Sequence, residues 1–289
     1  MYDVIVIGKG PAGITSAIYA KRAGLNILVI GKGIGALEKT DKIENYYGFE
    51  EPIEGKKLVE KGIKQAENLG ITVIEDEVTG INYEKNFIVK AIKQNYETKT
   101  VILATGTNRK SPQIKGIKEF EGKGVSYCAV CDAFFYRQKD VAVLGDGDYA
   151  ISEALELLPV AKSVTILTNG RKPMEIRSEN IKFNAKEINE FRGESKINEV
   201  EFKDNTKLSV DGIFIAEGFA TSIDLARKIG AQTNGNQIKV DENMQTTVPG
   251  LFAAGDCTGG LLQISKAVYE GTKAGLSVIN YIRKQKAMI

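Results

Sequence analysis

The chain reads as an α/β protein made of two dinucleotide-binding domains, the second inserted into the first. Three observations predict this. A wholly apolar run, Val4–Ile7, leads through Gly8-Lys9-Gly10-Pro11-Ala12-Gly13 into an Ala-rich stretch from Ile14 to Ala23. The same order of parts recurs at Val141–Leu144, Gly145-Asp146-Gly147-Asp148-Tyr149-Ala150 and Ile151–Leu158, about one domain's length further on. And 289 residues suffice for two domains of about 100–200 residues, each with its own core.

Each element has its own reason. A short apolar run bounded by glycine is typical of a strand buried on both faces of a parallel sheet. The stretch after Gly13 has apolar residues at i, i+3 and i+4, and Gly24, which tolerates positive φ, ends it. Asn26–Ile30 is the next strand. In the second unit the helix stops near Pro159 and Ser163–Leu167 is the following strand. Further strands are expected at Thr100–Ala104, Gly212–Ala216 and Leu251–Ala254, and a long helix from Gln263 to Arg283. The Asn108–Gly116 stretch, with Ser111-Pro112, is the expected link between domains, and a return is expected near Glu242–Thr247. The first domain would then be residues 1–110 and 247–289, and the insert 111–246.

Composition removes several classes of function. Lys and Arg number 39 against 37 Asp and Glu, so no global charge argues for nucleic acid or a membrane surface. There is no histidine, which excludes Ser-His-Asp triads, Cys-His pairs and His-ligated zinc. No apolar stretch approaches the ~18–20 residues of a membrane helix. Three cysteines do not make a secreted disulfide scaffold. The start Met1-Tyr2-Asp3 carries no basic region or long apolar core, so a cytoplasmic protein is expected.

Gly8-x-Gly10-x-x-Gly13 lies between strand and helix, as a pyrophosphate-binding turn requires. The first glycine makes the turn, the second admits the anion, and the third lets helix and strand pack. The helix N-terminus then offers free N–H groups and partial positive charge. The acid that commonly holds the adenosine ribose at the end of the second strand is missing; Gly31-Lys32 stands there. Gly250-Leu251-Phe252-Ala253-Ala254-Gly255-Asp256 is a strand ending in Gly-Asp. Together with the Thr105-Gly106 turn it resembles the flavoproteins with two dinucleotide-binding domains. In those proteins this aspartate meets the ribityl or phosphate region of the flavin.

Cys128-Ala129-Val130-Cys131 is a C-x-x-C. Its spacing suits a disulfide and also metal sites. Zinc would need two more Cys or His ligands, and one cysteine remains, so redox chemistry is favoured. Asp132 is the natural proton donor beside the pair, and also a candidate helix N-cap. Cys257 reads as a buried small hydrophobe.

At this point a family resemblance is specific. Gly8–Gly13, Ile43-Glu44-Asn45-Tyr46-x-Gly48-Phe49, Ala104-Thr105-Gly106, Gly124-Val125-Ser126-Tyr127-Cys128-Ala129-x-Cys131-Asp132, Gly212-x-Phe214-Ile215-Ala216 and Gly250–Asp256 occur in this order. Over essentially the whole chain this resembles the low-molecular-weight flavin thioredoxin reductases. The resemblance implies FAD, a homodimer, and electron flow from flavin to the C-x-x-C pair and on to thioredoxin. It implies that Cys131 is the flavin-proximal sulfur, that Cys128 attacks the partner disulfide and that Asp132 gives the proton. It places FAD against Gly8, Gly10, Pro11, Ala12, Gly13, Asn45, Val78, Thr105, Gly106, Gly255, Asp256, Gln263 and Ile264. It also implies a domain rotation that offers the cysteines alternately to flavin and partner.

The departures concern NADPH. Asp146 puts a carboxylate into the second glycine turn, where like charges ~4–6 Å apart repel by roughly 3–4 kcal/mol at an effective dielectric near 20. Tyr149 is bulky where a small residue is usual. The His-Arg-Arg block that clamps a 2′-phosphate is missing after Thr165-Ile166-Leu167; Arg171, Lys172 and Arg177 are the nearby cations. In these respects the chain is most similar to the ferredoxin-dependent flavin thioredoxin reductases. An acidic ferredoxin could dock on Lys56, Lys57, Lys61 and Lys64, a stretch that also reads as a solvated amphipathic helix. The alternatives are an NADPH-dependent reductase using Arg171, Lys172 and Arg177, and a non-catalytic flavin redox sensor.

Overall fold

A computed structural model describes residues 1–106, 112–172 and 180–287. Of the expected interdomain link, residues 108–111 lie outside the described residues, as does Arg177.

The first unit opens with β1 (Tyr2–Ile7), α1 (Pro11–Arg22) and β2 (Ile27–Gly31). Then follow α2 (Gly55–Asn68), β3 (Thr72–Glu75), β4 (Val78–Tyr83), β5 (Phe87–Ala91) and β6 (Asn95–Leu103). Strands β3, β2, β1 and β6 run parallel in that order. Strand β6 pairs with β1 along one side and divides its other side between two partners. Its start pairs antiparallel with β5, which pairs antiparallel with β4. Its end carries the parallel sheet. Val4, Ile5, Val6, Val29 and Ile30 are fully buried, which is what wholly apolar runs require.

The second unit holds β7 (Val125–Ser126), α3 (Ala129–Asp132), β8 (Asp140–Leu144), α4 (Asp148–Leu157) and β9 (Ser163–Leu167). It continues with β10 (Ile181–Asn184), β11 (Ile188–Gly193), β12 (Ile197–Phe202), β13 (Lys207–Ser209) and β14 (Gly212–Ile215). Its parallel sheet has the order β10-β9-β8-β14-β7, and β11-β12-β13 form an antiparallel sheet. Its own core includes Leu144, Phe191, Val200, Phe202 and Ile213.

The chain then returns to the first unit with α5 (Ser222–Lys228), the short pair β15 (Thr233–Asn234) and β16 (Gln237–Ile238), β17 (Leu251–Ala253) and α6 (Ile264–Ala287). Strand β17 joins the end of β6 in parallel. Helix α6 packs on α1 at very short range. A Cβ on Gly271 would lie 2.3 Å from the Ala12 carbonyl oxygen, and one on Gly275 2.7 Å from that of Ser16. The first core joins these helices to the sheet through Ala17, Ala20, Val29, Ile102, Ala274 and Val278.

The two doubly wound units fulfil the expected fold. The boundary of the insert needs correction. The compact units are residues 1–108 with 221–289, and 109–220, so the return falls at Thr221 and not near Thr247. The reason lies in local anchoring. Thr221 and Asp224 form a reciprocal capping box at the start of α5. The Ser222 N–H donates to Thr105 Oγ1 (2.7 Å), the Thr105 N–H to Ser222 Oγ (3.0 Å), and Lys228 Nζ to the Thr79 carbonyl (2.9 Å). Residues 221–246 are therefore held to the first unit by these polar bonds and by single apolar residues, such as Met244 in its core and Val240 against it, without the apolar runs that mark strands.

Candidate functional site

Two sites take shape, one in each unit. In the first, the glycine turn is shaped by what each position faces. A Cβ on Gly8 would lie 2.2 Å from the Ala104 carbonyl oxygen, and one on Gly13 1.9 Å from that of Gly8. Around Gly10 nothing lies within 4 Å of such an atom. Two glycines are thus set by packing and the middle one by an open approach to the backbone. No side chain caps α1, Pro11 occupies its first turn, and no acid stands there, so the helix terminus faces this opening with free N–H groups. That arrangement fits the pyrophosphate of a dinucleotide.

The other expected flavin residues gather from distant parts of the sequence. A Cβ on Gly255 would meet Ala12 Cβ at 3.0 Å, which brings the Gly-Asp turn beside the glycine turn. Asn45 Nδ2 donates to Gln263 Oε1 (3.3 Å), across 218 residues of chain. Ile264 opens α6 beside Gln263, and Thr105-Gly106 follows β6 with Gly106 at φ 76°. Val78 is buried at the start of β4. Burial pushes the Asp256 carboxyl above its usual range; Glu270 adds to this and Lys266 opposes it. Burial also pushes the Cys257 thiol up to about 12. Cys257 lies beneath the turn, its Sγ 3.4 Å from the Ala254 carbonyl, as a small buried residue should.

Sequence reading missed Thr258, Lys266 and Glu270, which enclose the Gly255 peptide. Glu270 Oε2 accepts the Gly255 N–H (2.9 Å) and the Thr258 hydroxyl (2.8 Å). Lys266 Nζ donates to the Gly255 carbonyl (2.8 Å) and pairs with Glu270 (3.0 Å). Their i, i+4 spacing on α6 was the available signal.

In the second unit Cys128 and Cys131 form a disulfide, with Cα atoms 5.3 Å apart. Cys128 caps α3 and its Sγ accepts the Cys131 N–H (3.2 Å). Cys128 is buried and Cys131 exposed. The N-cap reading of Asp132 is corrected. Its carboxylate makes no cap and instead accepts the Ser126 hydroxyl at 2.6 Å, while Ser126 Oγ takes the Cys128 N–H at 3.1 Å. Behind the pair, buried Glu153 accepts the Ala129 N–H (2.8 Å). Ser126 and Glu153 are thus unforeseen members of this site. Val130, between the two cysteines, and Phe134 and Phe135, just after them in the chain, are exposed apolar residues; Phe134 is 78% and Phe135 67% exposed.

The second glycine turn repeats the first in its packing. A Cβ on Gly145 would lie 2.3 Å from the Ala216 carbonyl oxygen. Its electrostatics differ. Asp146 and Asp148 both stand at this turn. Arg171 is drawn over it: Nε lies 3.1 Å from Asp146 Oδ2, and Nη2 donates to Glu217 Oε1 at 2.5 Å. The turn after β9 closes on itself, with Thr168 Oγ1 donating to the Arg171 carbonyl (2.5 Å) and Arg171 Nε to that of Thr168 (3.2 Å). Tyr149 is fully buried, so its bulk is absorbed by the core and does not obstruct the turn.

Of the expected docking lysines on α2, Lys57 pairs with Glu54 (2.6 Å), Lys64 with Glu67 (3.5 Å) and Lys56 with Glu60 (4.0 Å), while Lys61 shares the same helix. This is a mixed-charge face rather than a basic patch. Among the described residues no helix is long and apolar enough to cross a membrane.

Duplicated nucleotide folds, one open glycine turn with a Gly-Asp strand end, and a disulfide followed by an acid define a flavin-dependent disulfide oxidoreductase. Comparison with known proteins agrees. Residues 2–271 match the family described as Pyridine nucleotide-disulphide oxidoreductase, and the chain belongs to that family. Its relatives include the thioredoxin reductase of Aquifex aeolicus (strain VF5), 37% identical over 309 residues, covering 100% of this chain and 96% of that one. The atypical thioredoxin reductase TRi from Desulfovibrio vulgaris Hildenborough superposes with a TM-score of 0.92 at 39% identity, over 98% of this chain and 99% of that one. A ferredoxin-flavin thioredoxin reductase from Clostridium acetobutylicum superposes with a TM-score of 0.72 at 32% identity, over 98% of each chain. FAD is the cofactor.

Proposed function

We propose that this chain is a thioredoxin reductase that draws electrons from a ferredoxin and not from NADPH. The observation that carries the choice of donor is the commitment of Arg171 to Asp146 and Glu217. A 2′-phosphate needs guanidinium donors free to form bidentate contacts. Here Arg171, the guanidinium after β9 among the described residues, is held by two carboxylates, and the trio keeps a net charge of −1 where a pyrophosphate would approach. The similarity to the Clostridium ferredoxin-flavin enzyme supports the same reading.

Bound FAD supplies the two electrons, taken up singly or as a pair, that the disulfide needs. The rest is chemistry of the chain. Reduction breaks the Cys128–Cys131 bond and, with two protons, leaves two thiols. Cys128, as thiolate, attacks the disulfide of thioredoxin; a mixed disulfide forms and one partner sulfur leaves. Asp132, oriented by Ser126, takes the proton of the Cys128 thiol and passes it to that sulfur. Cys131 then attacks Cys128 Sγ, which restores the internal disulfide and releases the second partner thiol. The exposed apolar residues Val130, Phe134 and Phe135, in the same stretch of chain as the cysteines, suit a protein substrate better than a small polar one. Tyr19, Tyr269 and Leu276 leave exposed apolar area on α1 and α6, which supports a homodimer that sedimentation would reveal.

The test is anaerobic titration of the yellow protein. Reduced ferredoxin should bleach the flavin band and permit thioredoxin reduction. NADPH and NADH should leave the band unchanged. Rapid bleaching by NADPH would sink the ferredoxin reading in favour of a nicotinamide-dependent reductase. Flavin reduction without turnover of thioredoxin would point to a redox sensor.

A further inference from the structure

We propose that Glu75 supplies the carboxylate that holds the adenosine ribose of FAD, the task that the end of β2 leaves unfilled. In dinucleotide folds that acid stands at the end of the second strand, about 20 residues past the glycine turn. Here Gly31-Lys32-Gly33 occupies the place.

A carboxylate nevertheless reaches it, from the neighbouring strand. β2 and β3 are parallel and Gly31 is in register with Glu75, so both strands end at the same edge of the sheet. Ligands of open α/β sheets lie along this carboxyl edge. Glu75 Oε1 accepts the Gly33 N–H at 2.6 Å, and Oε2 takes the ammonium of Lys9, which belongs to the glycine turn itself. Glu75 therefore ties together the segments that follow β1, β2 and β3.

The position of Lys9 explains the exchange. Its side chain is only 12% exposed and lies against Gly31. A Cβ on residue 31 would come within 2.9 Å of Lys9 Cγ and 3.1 Å of its backbone nitrogen. An acid at the end of β2 would displace Lys9, whereas one at the end of β3 can pair with it. The backbone beneath Glu75 is held on both sides: Lys93 Nζ donates to the Glu75 carbonyl (2.6 Å) and the Asp76 N–H to the Gly31 carbonyl (3.2 Å).

A carboxylate offers about four acceptor positions. Two are used, and the side chain is 59% exposed, so acceptors remain for hydroxyl donors. The ligand group that matches is the vicinal 2′,3′-diol of an adenosine ribose. The inference rests on FAD as the cofactor and not on which donor reduces it.

The experiment titrates full-length apoprotein with FAD and with FMN, reading flavin fluorescence, for wild type, E75A and E75Q. FMN lacks the adenosine half. Both variants should weaken FAD binding, E75A by roughly ten- to hundredfold, the scale of hydrogen bonds to a charged group, with FMN binding unchanged. AMP should compete with FAD in the wild type and lose that ability in E75A. Circular dichroism checks folding; if E75A does not fold, E75Q decides. Equal loss of FAD and FMN would make Glu75 a support of the glycine turn and overturn the proposal. So would unchanged FAD binding. Wild-type apoprotein that takes up neither flavin would overturn this site together with the cofactor assignment.

Discussion

The two cysteines of the C-x-x-C differ in a way their spacing conceals. Cys128 is buried, with Sγ turned towards the Cys131 N–H, and Cys131 is exposed. The roles carried over from the family make Cys128 the sulfur that attacks thioredoxin. Those roles therefore require the reduced pair to bring Cys128 to the surface, since an attacking thiolate needs access as well as charge. A trapping experiment decides this. With Cys131→Ser, the thiolate of Cys128 should form a mixed disulfide with thioredoxin that persists because nothing resolves it. Cys128→Ser should form little. Non-reducing electrophoresis reads the outcome, and a stable adduct of Cys128→Ser alone would exchange the two roles. Asp132 shows the same limit of sequence reading. The adjacent pair made it a visible proton donor, but the hydroxyl that orients it depended on β7 bringing Ser126 within reach, and Glu153 comes from another helix altogether.

At the scale of elements, legibility followed chemistry. Strands buried on both faces are uniform apolar runs, so β1, β2, β8, β14 and β17 could be read directly. The antiparallel strands β4, β5 and β11 to β13 mix polar with apolar residues and carry several charges, so they left no such run. α4 starts at Asp148, before the apolar residues that announced it, because a helix begins at its cap rather than at its core face. The glycine turns allow a sharper test, because their members are glycine for different reasons. Gly13→Ala would drive a methyl against the Gly8 carbonyl, so it should lower the melting temperature of the apoprotein and lose FAD. Gly10→Ala meets no protein atom within 4 Å. Its apoprotein should melt as the wild type does, while FAD affinity falls by about tenfold or more, since the methyl occupies space meant for the pyrophosphate. Thermal melts of the apoproteins and flavin titrations separate the two effects. Equal destabilisation by both substitutions would remove the distinction.

For the whole molecule, the insertion is the organising feature, and its return point was the least legible boundary. The duplicated strand–turn–helix pattern revealed that there were two units. It could not show that 221–246 belongs with the first, because that assignment rests on the Ser222–Thr105 bonds and on isolated core residues such as Met244. Those bonds also make a prediction. The chain leaves the first unit just after Thr105 and re-enters it just before Ser222, and these two residues hydrogen-bond each other at 2.7 and 3.0 Å. Thr105 and Ser222 are therefore neighbours, and a loop of about two to five residues is enough to join elements at such a distance. Each unit has its own buried core, as an independently folding unit requires. A chain of residues 1–108 joined to 221–289 should fold and bind FAD with an affinity close to the full protein, because the expected flavin contacts all lie within it. It should accept electrons from reduced ferredoxin only if the donor docks on this unit, and it should reduce no thioredoxin, having lost Cys128 and Cys131. Absorbance at the flavin band, circular dichroism and turnover measure the three properties. A shortened chain that folds but stays colourless would show that the cofactor needs the insert.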